Sequence, residues 1–205
     1  PGTPPRPARP GIFNEPTDIA FDPDGNIYIS DGYRNSRVAK FDKDGHWVAS
    51  WGERGSEPGQ FRLPHGIATD ADGNVYVADR SNSRIQVLDS DGNVLRQITL
   101  NVPPPAGYVA NIPDFGQRPD GTYTSLWPNT LCITPPPNQV IYSHDMFPGR
   151  IYKMSLEGEV LGYFGTTGRK LGQFGWIHAL GCVSENELWV GELLNWRAQK
   201  LTLHP

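Results

Sequence analysis

The sequence predicts an all-β chain folded as a β-propeller of four-stranded blades, with about four blades present. Three observations predict it. A frame of apolar runs and turns recurs at intervals of 48, 64 and 49 residues, counted from Thr17, His65, Asn129 and His178. The runs are short, rich in Val, Ile, Tyr and Phe, and bounded by Asp-Gly or similar turns, the signature of hairpin-linked strands. The helical period of about 3.6 is nowhere sustained. Four strands in a unit of about 40 to 50 residues is the arithmetic of a propeller blade.

The elements follow in order. Five prolines in the first ten residues make 1–15 an extended lead-in, since proline has no N–H for a strand ladder. A single propeller domain over 16–205 follows, with blades starting near 16, 64, 128 and 177. Each blade opens with a short apolar run and a turn. A second run follows: "NIYISD", "NVYVAD", "QVIYSH" or "ELWVGE". After a polar loop come Arg37, Arg84, Arg150 or Arg197, and then "VAKFD", "IQVLD", "IYKMS" or "AQKLT". The longer interval holds an insertion at 100–126 that no other blade matches. The last blade is one strand short, and an open arc would expose strand edges. Missing upstream blades or a second chain are therefore expected to complete the array; a complete four-bladed propeller is the rival.

Composition excludes some functions. The net charge is −4 and there is no Lys/Arg cluster, so a nucleic-acid partner is not expected. No apolar run approaches the length of a membrane span. The chain does not begin with Met, so the lack of a signal peptide leaves the compartment open, secretion and the periplasm included. Cys132 and Cys182 are too few for a disulfide framework and lack zinc-motif spacing, and they read as small buried apolar residues.

The acids Asp31, Asp79 and Glu192 precede Arg37, Arg84 and Arg197 by five or six residues. Recurrence marks the pairs as structural, an acid and a base bracing one inter-strand loop. His144-Asp145 replaces the acid in the third blade, which makes His144 a secondary site candidate. "DPDG", "DKDG", "DADG" and "DSDG" echo a calcium loop but lack its frame and read as hairpin turns.

The segments "FNEPTDIAF", "SDGYRNSRV", "WGERGSEPGQFRLPHGIA" and "VADRSNSRIQ" resemble the NHL-repeat propellers. More narrowly they resemble the catalytic core of peptidyl-α-hydroxyglycine α-amidating lyase (peptidylamidoglycolate lyase) and its bacterial relatives. The match is dense over 13–88 and loose afterwards, except around "WIHALGCVSENELWVGELLNWRAQKL". The resemblance implies a six-bladed propeller with an axial zinc held by three histidines from alternate blades. It carries two of them onto His65 and His178 and places the third outside this chain. It maps the family's catalytic tyrosine onto Tyr33 and its substrate-binding arginine onto Arg80. Ala179 stands where the family has an aspartate that helps hold calcium, which puts calcium in doubt; Arg34 replaces a disulfide cysteine.

The residues carry their own chemical reading. His65 and His178 share one frame position two blades apart, so a six-bladed ring would aim them at a common centre. Three neutral imidazoles with an open fourth position make a catalytic zinc arrangement, which lowers the pKa of bound water to ~7 or polarises a substrate oxygen. Thr17 and Asn129 hold the other frame positions and are weak zinc ligands. As a tyrosinate, Tyr33 would serve as general base if a metal or Arg80 lowered its pKa from ~10. Arg80 would clamp a substrate carboxylate. The plainer readings are two structural histidines, a surface-loop tyrosine and a surface ion pair.

Two functions thus compete. One is a metal-centred C–N lyase acting on an α-hydroxyglycine-type small molecule or peptide. The other is a non-catalytic scaffold that binds a protein, peptide or glycan through one face. Trp127, Trp176 and Trp196 suit the second as anchors, though packing between blades is the preferred expectation for them.

Overall fold

The structure of the protein, a computed structural model, describes residues 11–99, 102–103, 128–146 and 148–204. Most of the 100–126 insertion, Trp127 and the start of the lead-in lie outside the described residues. The chain divides into two compact units, Pro1–Gln97 and Ile98–Pro205.

The first unit holds two antiparallel blades. Blade 1 is β1 (Asp18–Phe21), β2 (Ile27–Asp31), β3 (Arg37–Phe41) and β4 (Trp47–Trp51), in that spatial order. Blade 2 is β5 (Pro64–Thr69), β6 (Val75–Asp79), β7 (Arg84–Leu88) and β8 (Val94–Ile98), whose end reaches the unit boundary. Strand alternation turns Ala20, Tyr28 and Val38 of blade 1 to one face, where they pack with Phe61, Ile67, Val75, Val77 and Leu88. The hairpin turns close as their sequence suggests. Asp22, Asp42, Asp70 and Asp89 each accept the N–H groups two and four residues on, at 2.8–3.0 Å. Gly25, Gly45, Gly73 and Gly92 take positive φ there, between 81° and 88°, which side chains disfavour. These Asp-rich segments are turns held by their own aspartates.

The second unit holds blade 3, of β9 (Leu131–Ile133), β10 (Ile141–His144), β11 (Ile151–Met154) and β12 (Val160–Phe164). A short parallel pair follows, β13 (Thr166–Thr167) with β14 (Gln173–Phe174). Blade 4 has three strands, β15 (Ile177–Ser184), β16 (Glu187–Glu192) and β17 (Arg197–Thr202). Tyr142, Ile151, Phe174, Ile177, Leu188 and Val190 form the buried core of this unit.

The cysteines correct one expectation. Cys132 of β9 and Cys182 of β15 form a disulfide between the first strands of blades 3 and 4, with Cα atoms 5.7 Å apart. A count of two says nothing about pairing. What decides it is that both sit three or four residues past Asn129 and His178, at matching places in consecutive blades.

The acid–arginine pairs brace the loops, as their recurrence indicated. Asp31 accepts from Arg37 Nε at 3.0 Å, Asp79 from Arg84 at 3.1 Å and Glu192 from Arg197 at 2.6 Å. In blade 3 the pair is shifted by one residue at each end: Asp145 accepts from Arg150 Nε at 2.9 Å, and His144 stands opposite Ile151 in the ladder. A left-handed residue precedes each arginine: Ser36, Ser83, Gly149 and Trp196, with φ of 52°, 54°, 79° and 52°. The frame is therefore conformational as well as chemical.

Candidate functional site

The predicted site residues sit where one blade's first strand begins and where a loop joins its second and third strands. In blade 2 the ladder pairs Pro64 with Asp79 and then Ile67 with Val77, so His65 and Gly66 together face Ala78. That extra residue is a β-bulge, a device that re-aims a side chain. His178 has the same setting in its own unit. Ile177 pairs with Glu192 and Ala179 with Gly191, leaving His178 as the bulged residue of β15. His65 is buried and His178 half-buried.

The acids also fix the approach to each of these positions. Asp79 Oδ1 accepts the N–H groups of Arg62 and Leu63 at 3.0 and 3.2 Å. Glu192 Oε2 accepts that of Gly175 at 2.8 Å, and Asp31 Oδ1 that of Asn14 at 3.0 Å. Asn14, Arg62 and Gly175 each lie three residues before Thr17, His65 and His178. One carboxylate thus ties the arginine, the loop and the lead into the first strand. Burial pushes the Glu192 carboxyl up, but hydrogen bonds from Arg197, Gly175, Asn195 and Gln199 outweigh it and hold the group below its usual range.

The first unit brings three predicted residues together. Tyr33 Oη lies 3.4 Å from His65 Nε2, and the two rings meet edge to face at 80° with centroids 5.7 Å apart. Arg80 is half-buried in the 3-10 turn Arg80–Asn82, close enough to Tyr33 for the two side chains to interact. Burial pulls the guanidinium below its usual range, while Tyr33 acts in the opposite direction. Tyr33 is 42% exposed, so the phenol is reachable from solvent although its oxygen is anchored. A phenol, an imidazole and a guanidinium gathered at one bulge can bind an anion and move a proton.

Gly32 makes this approach possible. A Cβ built there would lie 1.8 Å from the Pro64 carbonyl oxygen and 3.3 Å from Thr17 Cγ2. Only a glycine lets the loop bearing Tyr33 pass so close to the strand bearing His65.

The zinc expectation can be set against these donors. Among the described residues, one group of three His, Cys, Asp or Glu side chains has donor atoms within 4.8 Å of one another: Asp42, Asp44 and His46. These are the exposed β3–β4 turn, where Asp42 already accepts the N–H groups of Asp44 and His46. His65 and His178 suit zinc in ligand type, and each is one imidazole of its own unit. Thr17 and Asn129, at the other frame positions, are engaged with backbone. Thr17 Oγ1 lies 3.0 Å from the Pro64 carbonyl, and Asn129 Nδ2 donates to the Ile177 carbonyl at 3.3 Å.

Other candidates resolve plainly. His144 is fully buried and its Nε2 accepts the Asn129 N–H at 3.3 Å. Trp176 is half-buried. Trp196, expected between blades, is instead 91% exposed. It occupies the left-handed position before Arg197, which aims it away from the sheet.

Comparison with known proteins agrees with this architecture. Residues 13–41 and 61–88 match the NHL repeat family model. Over the whole chain the fold resembles virginiamycin B lyase from Staphylococcus aureus, with a TM-score of 0.60 and 13% identity, covering 95% of this chain and 58% of that one. At that identity the likeness shows the fold alone. The chain is thus all-β and built of propeller blades, the first two of which carry NHL repeats.

Its sequence is also partly similar to amidating enzymes. Peptidyl-glycine alpha-amidating monooxygenase A of Xenopus laevis is 45% identical over 93 residues, 42% of this chain and 10% of that protein. A probable peptidyl-alpha-hydroxyglycine alpha-amidating lyase of Caenorhabditis elegans is 49% identical over 37 residues, 18% of this chain and 11% of that protein. The chain spans about a tenth of the length of these relatives.

Proposed function

We propose that the protein is a C–N lyase of the amidating type, acting on an α-hydroxyglycine-type small molecule or peptide. The observation that carries this reading is the cluster of Tyr33, His65 and Arg80. Local similarity to amidating enzymes supports it.

In this reading Arg80 pairs with the substrate carboxylate through two parallel N–H bonds. Tyr33 Oη would relay the proton of the substrate hydroxyl. The hydroxyl oxygen becomes the aldehyde oxygen as the C–N bond breaks, and the departing nitrogen takes up the proton that Tyr33 relays. The products are a primary amide and glyoxylate. In each unit one imidazole, that of His65 and that of His178, would be offered to a zinc ion. When bound, that ion supplies positive charge that polarises a substrate oxygen. The half-buried site and the bulge at His65 fix the reacting groups before substrate arrives.

Further blades, upstream or from a second chain, belong to the same proposal. Exposed apolar side chains on blade 1 and on blade 4 support it. Ile19 and Phe21 of β1 are 49% and 59% exposed, and Val183 and Trp189 of blade 4 are 55% and 47% exposed. Apolar sheet faces normally carry a partner.

The test is glyoxylate release from a peptide ending in α-hydroxyglycine, with metal content measured on the same preparation. Stoichiometric zinc, and glyoxylate release that falls with zinc content in His65→Ala, are expected. No release, or zinc content unchanged in His65→Ala, overturns the reading.

A further inference from the structure

We infer that Thr17 and Asn129 are positioning residues, each of which holds the histidine that begins the next blade. The inference rests on the proposed role of His65 and His178. It adds a task to the two frame positions that carry no histidine.

Two contacts, one in each unit, carry it. Thr17 Oγ1 lies 3.0 Å from the carbonyl oxygen of Pro64, the residue before His65. Asn129 Nδ2 donates at 3.3 Å to the carbonyl of Ile177, the residue before His178. Thr17 and Asn129 occupy one frame position, and so do Pro64 and Ile177. Different side chains therefore perform the same contact, which a generic packing role would not require. The contact falls at the paired residue just before each bulge, on the edge strand of its blade.

The first unit adds a second grip. Ser30 Oγ donates to the His65 carbonyl at 2.7 Å, and Thr17 Oγ1 lies 2.9 Å from that same Ser30 hydroxyl and 3.0 Å from the Ser30 carbonyl, so its one hydrogen is shared among these oxygens and that of Pro64. The backbone on both sides of the His65 peptide is thus held by blade 1. Ser30 is wholly buried and Thr17 half-buried, so these bonds are shielded from competing water. The hydroxyl and amide groups fix where the imidazole begins; the bulge fixes where it points.

The test uses the protein at its natural full length, with Thr17→Val, Thr17→Ser and Asn129→Asp. Valine keeps the shape of Thr17 and removes its hydroxyl, serine restores the hydroxyl, and aspartate removes the amide donor. Zinc affinity is titrated with the metal alone. The contact between the Tyr33 and His65 rings is followed by the nuclear Overhauser effect in metal-free protein. Thr17→Val and Asn129→Asp should each weaken zinc about tenfold. Thr17→Val should also lose the ring contact, and Thr17→Ser should recover both. If the wild type binds no zinc, the lyase reading fails while the ring contact still decides the positioning claim. Wild-type zinc affinity in Thr17→Val overturns the inference, as does an unchanged ring contact in that variant. Should Asn129→Asp fail to fold, the two Thr17 variants alone decide whether the positioning role stands or falls.

Discussion

Tyr33 and His65 meet edge to face, with the phenol oxygen 3.4 Å from Nε2 and the ring centroids 5.7 Å apart. They come from different blades, 32 residues apart, and two backbone features make the meeting possible. One is the glycine before Tyr33; the other is the bulge at His65.

Gly32→Ala tests the first of these. The added methyl would need the space of the Pro64 carbonyl oxygen, 1.8 Å away, so the start of β5 must shift. We expect a loss of about 1–3 kcal/mol in stability, read as a lower midpoint in denaturant unfolding. Glyoxylate release should fall further than stability does, because the same shift carries His65 away from Tyr33.

Arg80 should act on the carboxylate of the substrate. Arg80→Ala removes a charge-assisted pairing whose net worth is about 1.5–3 kcal/mol, so kcat/KM for an α-hydroxyglycine peptide should drop by about 10- to 100-fold. A substrate whose carboxylate is esterified should be almost indifferent to the substitution. Steady-state kinetics on the two substrates make the comparison.

The disulfide should dominate the stability of the second unit. Cys132 and Cys182 are 50 residues apart, and a closed loop of that size is worth about 4 kcal/mol through the unfolded chain. Reduction, or the Cys132→Ser/Cys182→Ser pair, should lower the thermal midpoint. Amide exchange should quicken in β9 and β15 first, with the core of the first unit little changed.

Glu192 sets a pH dependence. Its folded value lies below the ordinary 4.5, so it contributes stability that is present above about pH 4.5. That stability is lost as pH falls through the folded value. Glu192→Gln should cost about 1–3 kcal/mol at pH 7 through weaker hydrogen bonds to Arg197 and Gly175. It should also flatten the acid limb of a stability-against-pH curve measured between pH 2 and 7.

Much of this fold is legible in the chain because its signals are local. The turns at Asp22, Asp70 and Asp89, the apolar runs and the acid–arginine pairs repeat in register. What is not legible depends on how strands of different blades meet. The disulfide needs Cys132 and Cys182 to lie on facing first strands. The bulges need a knowledge of pairing that apolar alternation does not contain. Thr17 and Asn129 read as weak ligands from their chemistry, whereas their contacts lie with the next blade. Trp196 misleads because an aromatic usually signals packing; here it fills a left-handed turn position that serine or glycine fills in the other blades.

The joint action of Tyr33 and His65 is tested most directly by a double-substitution cycle on the two residues, read as kcat/KM for glyoxylate release. Tyr33→Phe and His65→Ala should each reduce it by about 10²-fold or more. The double variant should be little worse than either alone, as residues acting as one unit behave. Two losses that simply multiply, or full activity in Tyr33→Phe, would contradict a shared catalytic role.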